Sequence, residues 1–203
     1  MTKKKAKRKT KPIISYNDII CDSEAEKWIL FWLFELKEAG YIESIERAKS
    51  YKLTDSVSHQ YEKKLKTKTI IKNEVILLPC SYSPDFFIKL TEKGKKLDIF
   101  RELGSYNRLK EKGKITFIHI AGEALIEVKE TQFRHSQDTT EKFKVEQKWL
   151  WQEYGLYVNL VQPDKLFPLT FTPEKFKYTE KKKQLRKLRW KSRNLEEFLK
   201  EIK

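Results

Sequence analysis

The sequence predicts a mixed α/β fold, a central mixed sheet flanked by helices. Three features carry that expectation: a helical-period apolar run near residue 30, a second capped run near residue 145, and β-branched and aromatic segments between and after them. The chain of 203 residues is long enough for one compact domain, expected over residues 16–170. A basic arm over 1–15 and a basic C-terminal helical extension over 171–203 complete the expected organisation.

The elements follow in order. "MTKKKAKRKTK" holds like charges and almost nothing apolar, so it should be disordered when free. From Asp22 to Ala39, the residues Ala25, Trp28, Ile29, Trp32, Leu33 and Leu36 keep helical spacing, and Gly40 ends the run. "YIESIERAKSYKLTD" reads as one strand or two short ones, and the polar stretch 56–69 as an exposed loop or hairpin. "TIIKNEVILLPCSYSPDFFIKL" reads as two strands broken by Asn73, Pro79 and Pro84. Residues 91–114, charged and bounded by Gly94 and Gly113, read as an insertion with a short helix around 97–103. "ITFIHI" and "ALIEVKE" form a hairpin across Ala121 and Gly122. A helix capped by Thr139 or Thr140 runs to Gly155, and "LYVNLVQPD" is a further strand. In the tail, Leu185, Leu188, Leu195, Phe198 and Ile202 mark an apolar stripe on a basic helix, with a break near Ser192.

A formal charge of +15, from 44 Lys and Arg against 29 Asp and Glu, favours a polyanionic partner, with nucleic acid first. Cys21 and Cys80 offer neither a zinc-ligand cluster nor a disulfide framework and read as small core residues of an intracellular protein. The run "WILFWLFEL" is far shorter than the roughly 20 residues that span a bilayer. Asp18, Asp22, Glu24 and Glu26 interrupt any secretory signal, so a soluble cytoplasmic protein without a membrane partner is expected. No P-loop, dinucleotide-binding turn or nucleophile elbow occurs. His59, His119 and His135 lack metal-ligand spacing and none is assigned a role; His119 should pack in a strand, and His135, beside Arg134, is a candidate for touching DNA.

In "ALIEVKE", period-two alternation turns Leu125, Glu127 and Lys129 to one face and Ile126 and Val128 to the other. Asp85 follows Pro84 at the mouth of the strand "FFIKL", where it reads either as turn chemistry or as a site carboxylate. Hard cations such as Mg²⁺ take carboxylate and carbonyl oxygens, so Asp85, Glu127 and the Val128 carbonyl form a candidate ligand set, with Lys129 able to hold or deprotonate an attacking water. Glu26 lies in Ser23-x-x-Glu26, which by itself is a capping box.

Glu26, Pro84-Asp85 and Glu127-Val128-Lys129 together resemble the PD-(D/E)XK nuclease superfamily. The strings "DSEAE", "YSPDF" and "IEVKE", then a Lys-rich helix and "LYVNLV", are most similar to phage junction-resolving endonucleases and related mobile-element nucleases, over about residues 20–165. The resemblance implies a restriction-endonuclease-like core, and an Mg²⁺-dependent endonuclease, with Mn²⁺ as substitute, acting on branched DNA such as a Holliday junction. It implies Glu26, Asp85, Glu127 and Lys129 as catalytic residues, with Glu26 reaching the metal through a water. A homodimer is expected, encoded by a phage or mobile element in a bacterial host. The alternatives are a transposon-end nuclease working beside a recombinase, and a non-catalytic nucleic-acid-binding protein. DNA contacts are expected from Lys142, Lys144, Gln147 and Lys148, from Arg134, from Lys3, Lys4, Lys5 and Arg8 in the arm, and from Arg186 and Arg189 in the tail. Two departures stand out: the long segment between Asp85 and Glu127, and Glu130 where a small residue is usual.

Overall fold

The computed structural model describes residues 14–107, 114–130, 136–179 and 183–202. A short hairpin, β1 (Ile14–Tyr16) and β2 (Ile19–Cys21), opens the fold, and its turn holds Asn17 and Asp18 at positive φ, as a tight two-residue turn requires. The expected arm therefore ends before Ile14, and Lys3, Lys4, Lys5 and Arg8 lie outside the described residues. Helix α1 (Glu24–Glu38) buries Ile29, Leu30, Trp32, Leu33 and Leu36, with Gly40 beyond it at φ +79.

Five strands lie between α1 and Asp85: β3 (Ile42–Arg47), β4 (Tyr51–Thr54), β5 (Val57–Lys64), β6 (Thr69–Leu77) and β7 (Cys80–Tyr82). The stretch 56–69 is thus the first half of a hairpin, and β6 passes through Asn73 without a break. The expectation of two strands over "TIIKNEVILLPCSYSPDFFIKL" fails, since a third, β8 (Phe86–Leu90), follows β6 and β7. β6 is exposed almost throughout, so Asn73 costs it no packing.

Next come α2 (Glu92–Lys95), β9 (Phe100–Glu102), β10 (Phe117–His119), β11 (Glu123–Val128), α3 (Ser136–Tyr154), β12 (Val158–Val161), α4 (Pro163–Leu169) and α5 (Leu195–Glu201). The main sheet has the order β12-β11-β8-β3, with β11 and β12 parallel and the other neighbours antiparallel. The fold is therefore mixed α/β around a central mixed sheet. Packing of α1 on one face, with Phe86, Ile88, Ile126 and Val128, builds the larger core. On the other face Leu125 packs with Tyr51, Tyr82, Phe143, Leu150 and Val158. Asn159, buried in β12, accepts from the Ile118 amide at 2.8 Å and donates to the Ile118 and Leu125 carbonyls, tying β10 to the sheet. No described helix is long and apolar enough to cross a membrane.

Three expectations are corrected here. The segment 91–114 does not loop out as an insertion with a helix over 97–103. Its described part carries α2 and β9, β9 pairs in parallel with β10, and Leu97, Ile99 and Phe100 are buried in the larger core. Gly94 seats α2 against the start of β3, because a Cβ there would lie 1.9 Å from the Tyr41 carbonyl oxygen. Helix α3 begins at Ser136, so Thr139 and Thr140 lie inside it rather than capping it. The tail is not one basic helix: among its described residues a 3-10 turn covers Glu174–Lys177 and only Leu195–Glu201 is α-helical, started by an Asn194–Glu197 capping box. Residues before it run back over the domain, where the Trp190 indole stacks on Phe176 and donates to Thr172 at 3.0 Å, and Phe198 is buried. The tail belongs to the domain because its aromatic residues fill the α1 side of the core, a gain that outweighs helix propensity.

The Ala121–Gly122 turn is as expected, with both residues at positive φ and Ile120 and Glu123 exchanging backbone hydrogen bonds at 2.9 Å, but the expected hairpin stops at that one bridge, since β10 pairs with β9 while β11 pairs with β8 and β12. His119 is buried in β10, and Cys21 and Cys80 are free thiols, the first buried and the second half-buried.

Candidate active site

The site lies where β8 begins and β11 ends. Antiparallel register sets Ile126 opposite Phe86 and Leu125 opposite Phe87, which carries Asp85 to the level of Glu127 and Val128. Pro84 supplies no amide donor, and the next amide, that of Asp85, donates to the Ile126 carbonyl at 2.9 Å. The Asp85 carboxylate turns back into the sheet end, where Oδ2 accepts from the Val128 amide at 2.6 Å. The strand mouth, not a local Asx turn, fixes this side chain.

Glu127 points to the α3 side with Leu125, as alternation requires. It is buried, and its two oxygens are both used: Oε2 accepts from the Tyr82 hydroxyl at 3.0 Å and Oε1 from the Lys129 ammonium. Lys129 is fixed in turn by its amide, which donates to the Val161 carbonyl at 2.9 Å in the parallel partner strand. Tyr82, in β7, is the tyrosine of "YSPDF", and burial followed by the charge of Glu127 keeps its hydroxyl protonated.

The Asp85 carboxyl is pushed up to about 7. Burial is the largest cause, and the neighbouring Glu127 carboxylate is the next; the Val128 amide and Arg47 oppose them without cancelling them. Two buried carboxyl groups at one strand junction thus hold more negative charge than the protein compensates.

Glu26 takes a different place. Ser23 caps α1, its Oγ accepting from the Glu26 amide at 3.2 Å while donating to Glu26 Oε1 at 3.1 Å, and Oε2 accepts from the Asp22 amide at 3.0 Å. The Arg47 guanidinium donates to Glu26 Oε2 at 2.7 Å and to Asp22 at 2.9 Å. Arg47 also stands 3.9 Å from Asp85 Oδ1, and it packs 5.5 Å over the Phe86 ring. Asp85, Glu127, Val128 and Lys129 therefore converge directly, whereas Glu26 joins them through Arg47. Sequence reasoning missed Arg47, at the end of β3, and the role of Tyr82.

Among the described residues, no group of three or more His, Cys, Asp and Glu side chains is arranged to hold a metal. Mg²⁺ needs less than that, since it is commonly held by one or two carboxylates with waters and substrate phosphate oxygens completing its shell. An all-oxygen pair with one carboxyl pushed up by burial and then by its neighbour's charge fits such a cation. Asp85, Glu127 and the Val128 carbonyl are the groups that would hold it.

Of the expected DNA contacts, Lys148 is exposed on α3. Lys144 pairs with Glu141 at 2.6 Å and Lys142 with Glu146 at 3.3 Å. The Gln147 amide donates to the Val158 carbonyl at 2.6 Å, so it joins α3 to β12. Arg186 packs over Trp28 and Phe176, and Arg189 is exposed. Arg134 and His135 lie outside the described residues. No protein-family model, curated protein or solved structure matches this chain.

Proposed function

We propose that this chain is a divalent-cation-dependent DNA endonuclease with a restriction-endonuclease-like core of the PD-(D/E)XK type, acting on branched or otherwise structured DNA. One observation carries the reading: Asp85 and Glu127 meet at adjacent strand ends with Lys129 bonded to Glu127, and Asp85 is held as a carboxyl of pKa about 7. The order α1, β3, β8, β11, α3, β12, with the acidic residue in α1, Pro-Asp just before β8 and Glu-x-Lys at the end of β11, supports it. The charge of +15 supports a nucleic-acid substrate.

In this reading Asp85 and Glu127, with the Val128 carbonyl, hold Mg²⁺. When bound, the ion supplies charge neutralisation at the scissile phosphate and lowers the pKa of water. Lys129, fixed between Glu127 and β12, orients the attacking water and faces the charge that grows on the phosphate. Tyr82 holds Glu127 in place. Arg47 and Glu26 hold Asp85 from the α1 side.

The test is cleavage of a four-way junction and matched linear duplexes with Mg²⁺ or Mn²⁺. Asp85→Asn and Lys129→Ala are each expected to lose at least about 100-fold in cleavage rate while still binding DNA. Preferential cutting of the junction would assign the resolving branch. No cutting by the wild type with either ion, despite tight binding, would leave a binding protein or a nuclease that acts only beside a recombinase.

A further inference from the structure

The β5–β6 hairpin is the largest exposed feature that the proposed site does not use. It leaves the fold after β4 and returns into β7, whose Tyr82 contacts Glu127, with Asp85 three residues further on. Of residues 57–77, only Tyr61 and Ile70 are half-buried; the rest are exposed. Eight paired residues at about 3.3 Å each give a ribbon about 26 Å long.

Its chemistry is polarised. Lys63, Lys64, Lys66 and Lys68 crowd the tip, Lys72 follows on β6, and none is ion-paired among the described residues. Glu62 and Glu74 are the sole acidic residues within 57–77. Register sets Gln60 opposite Asn73 and Lys64 opposite Thr69, with Glu62 opposite Ile71 between them, so one face carries a neutral hydrogen-bonding pair at mid-ribbon, one carboxylate beyond it and a lysine at its end. On the other face His59 stacks on Tyr61 at 5.5 Å, beside Lys63 and Lys72.

We infer that the β5–β6 hairpin is a DNA-gripping arm that enters the major groove of the duplex flanking the cleavage position. The B-DNA major groove is about 12 Å wide and admits a two-stranded β-ribbon. Duplex RNA is disfavoured, because its major groove is too deep and narrow to be read by side chains. Tip lysines meet phosphates across the groove, while Gln60 and Asn73 face base edges, the residue types that pair with adenine. A second copy of the chain fits less well. Two tips of the same charge repel, and although Val57, Val75, Ile76 and Leu77 leave apolar surface exposed at the base of the ribbon, Ile71 nearer the tip is set across from Glu62, so that surface does not run on to the tip. The inference rests on the proposed DNA substrate and not on cleavage.

The experiment measures binding of the full-length protein to a labelled 30-base-pair duplex in EDTA, by fluorescence anisotropy over a salt series. The probe length spans about three helical turns. The variant combines Lys63→Gln, Lys64→Gln, Lys66→Gln and Lys68→Gln, all at exposed positions, and its melting temperature checks that it folds. The expected result is an affinity loss of at least about tenfold, with a salt slope shallower by about 2 to 4. A duplex with bulky C5-substituted pyrimidines, which fill the major groove, should weaken the wild type and leave the variant unchanged. Equal affinity and slope for variant and wild type would overturn the arm while leaving DNA as substrate, and so would indifference of the wild type to the bulky groups. A wild-type dimer made monomeric by Ile71→Ser with Val75→Ser, with unchanged DNA affinity per protomer, would reassign the hairpin to self-association. Failure of the wild type to bind either this duplex or a four-way junction with arms of the same sequence would overturn the arm and the DNA substrate together, whereas binding to the junction alone, unchanged in the variant, would overturn the arm only.

Discussion

Two acidic groups flank the end of the sheet, and they are compensated in opposite ways. On the α1 side, buried Glu26 accepts from a backbone amide, a hydroxyl and Arg47, which also neutralises Asp22. At the junction of β8 and β11, Asp85 has one amide donor and a guanidinium 3.9 Å away, with Glu127 adding to its negative field. Burial of a carboxylate therefore does not by itself mark a cation site. The mark is burial without full compensation, since a carboxylate whose partners suffice is part of the framework.

The largest expected stability effect tests the compensated side. Arg47→Ala leaves Glu26 and Asp22 without their cation and should cost about 2–3 kcal/mol, at the low end for breaking a buried pair because Arg47 is itself partly exposed. Urea unfolding at pH 7 measures it. A cost below about 1 kcal/mol would mean that the cap alone satisfies Glu26, and the contrast between the two groups would rest on Ser23 and not on Arg47.

The uncompensated side should show the reverse sign. Folded Asp85 holds its proton to about pH 7, against an ordinary value of 3.8, so the folded state binds the extra proton between those values. Stability from this group is present at acid pH and is lost as pH rises through that window. Asp85→Asn keeps an acceptor for the Val128 amide and removes the charge. It should stabilise the protein by about 1–2 kcal/mol at pH 8 and by nothing measurable near pH 4. Thermal melts across pH check this, and Mg²⁺ should raise the melting temperature of the wild type at pH 8 more than that of the variant. A variant less stable than wild type at pH 8 would sink the idea of stored charge.

What could be read from the sequence follows the range over which each residue acts. Strand alternation brings Glu127 and Lys129 to one face two residues apart, so their contact was legible, and the Ser23-to-Glu26 spacing gave the cap. Arg47 and Tyr82 act across 21 and 45 positions, and nothing in their local sequence says so. The β5–β6 hairpin was half legible: the β-branched residues of β6 read as a strand, whereas 56–69 left loop and hairpin both open, because β5 is exposed and shows no alternating burial. Residues 91–114 hid for the opposite reason: their charges dominate the string, while Leu97, Ile99 and Phe100 fill the core. In the tail, the spacing of Leu185 and Leu188 fits a helix, but Leu188 and Trp190 pack against the α1 core along a non-helical path.

The smallest expected effect tests the link between the two sides of Glu127. Tyr82→Phe removes one donor and leaves the Lys129 bond, so the loss should be about 1 kcal/mol, the usual net value of a single hydrogen bond. Its consequence for cation binding is larger, because a partner that orients a metal-holding carboxylate typically changes affinity about tenfold or more when removed. The Mg²⁺ concentration giving half-maximal cleavage should rise by about that factor, with the rate at saturating Mg²⁺ little changed. If the saturated rate fell instead while the Mg²⁺ requirement stayed fixed, Tyr82 would act on the reacting phosphate and not through Glu127. The Glu127 carboxylate would then be set by Lys129 alone, making the lysine both the chemical group and the brace of the site.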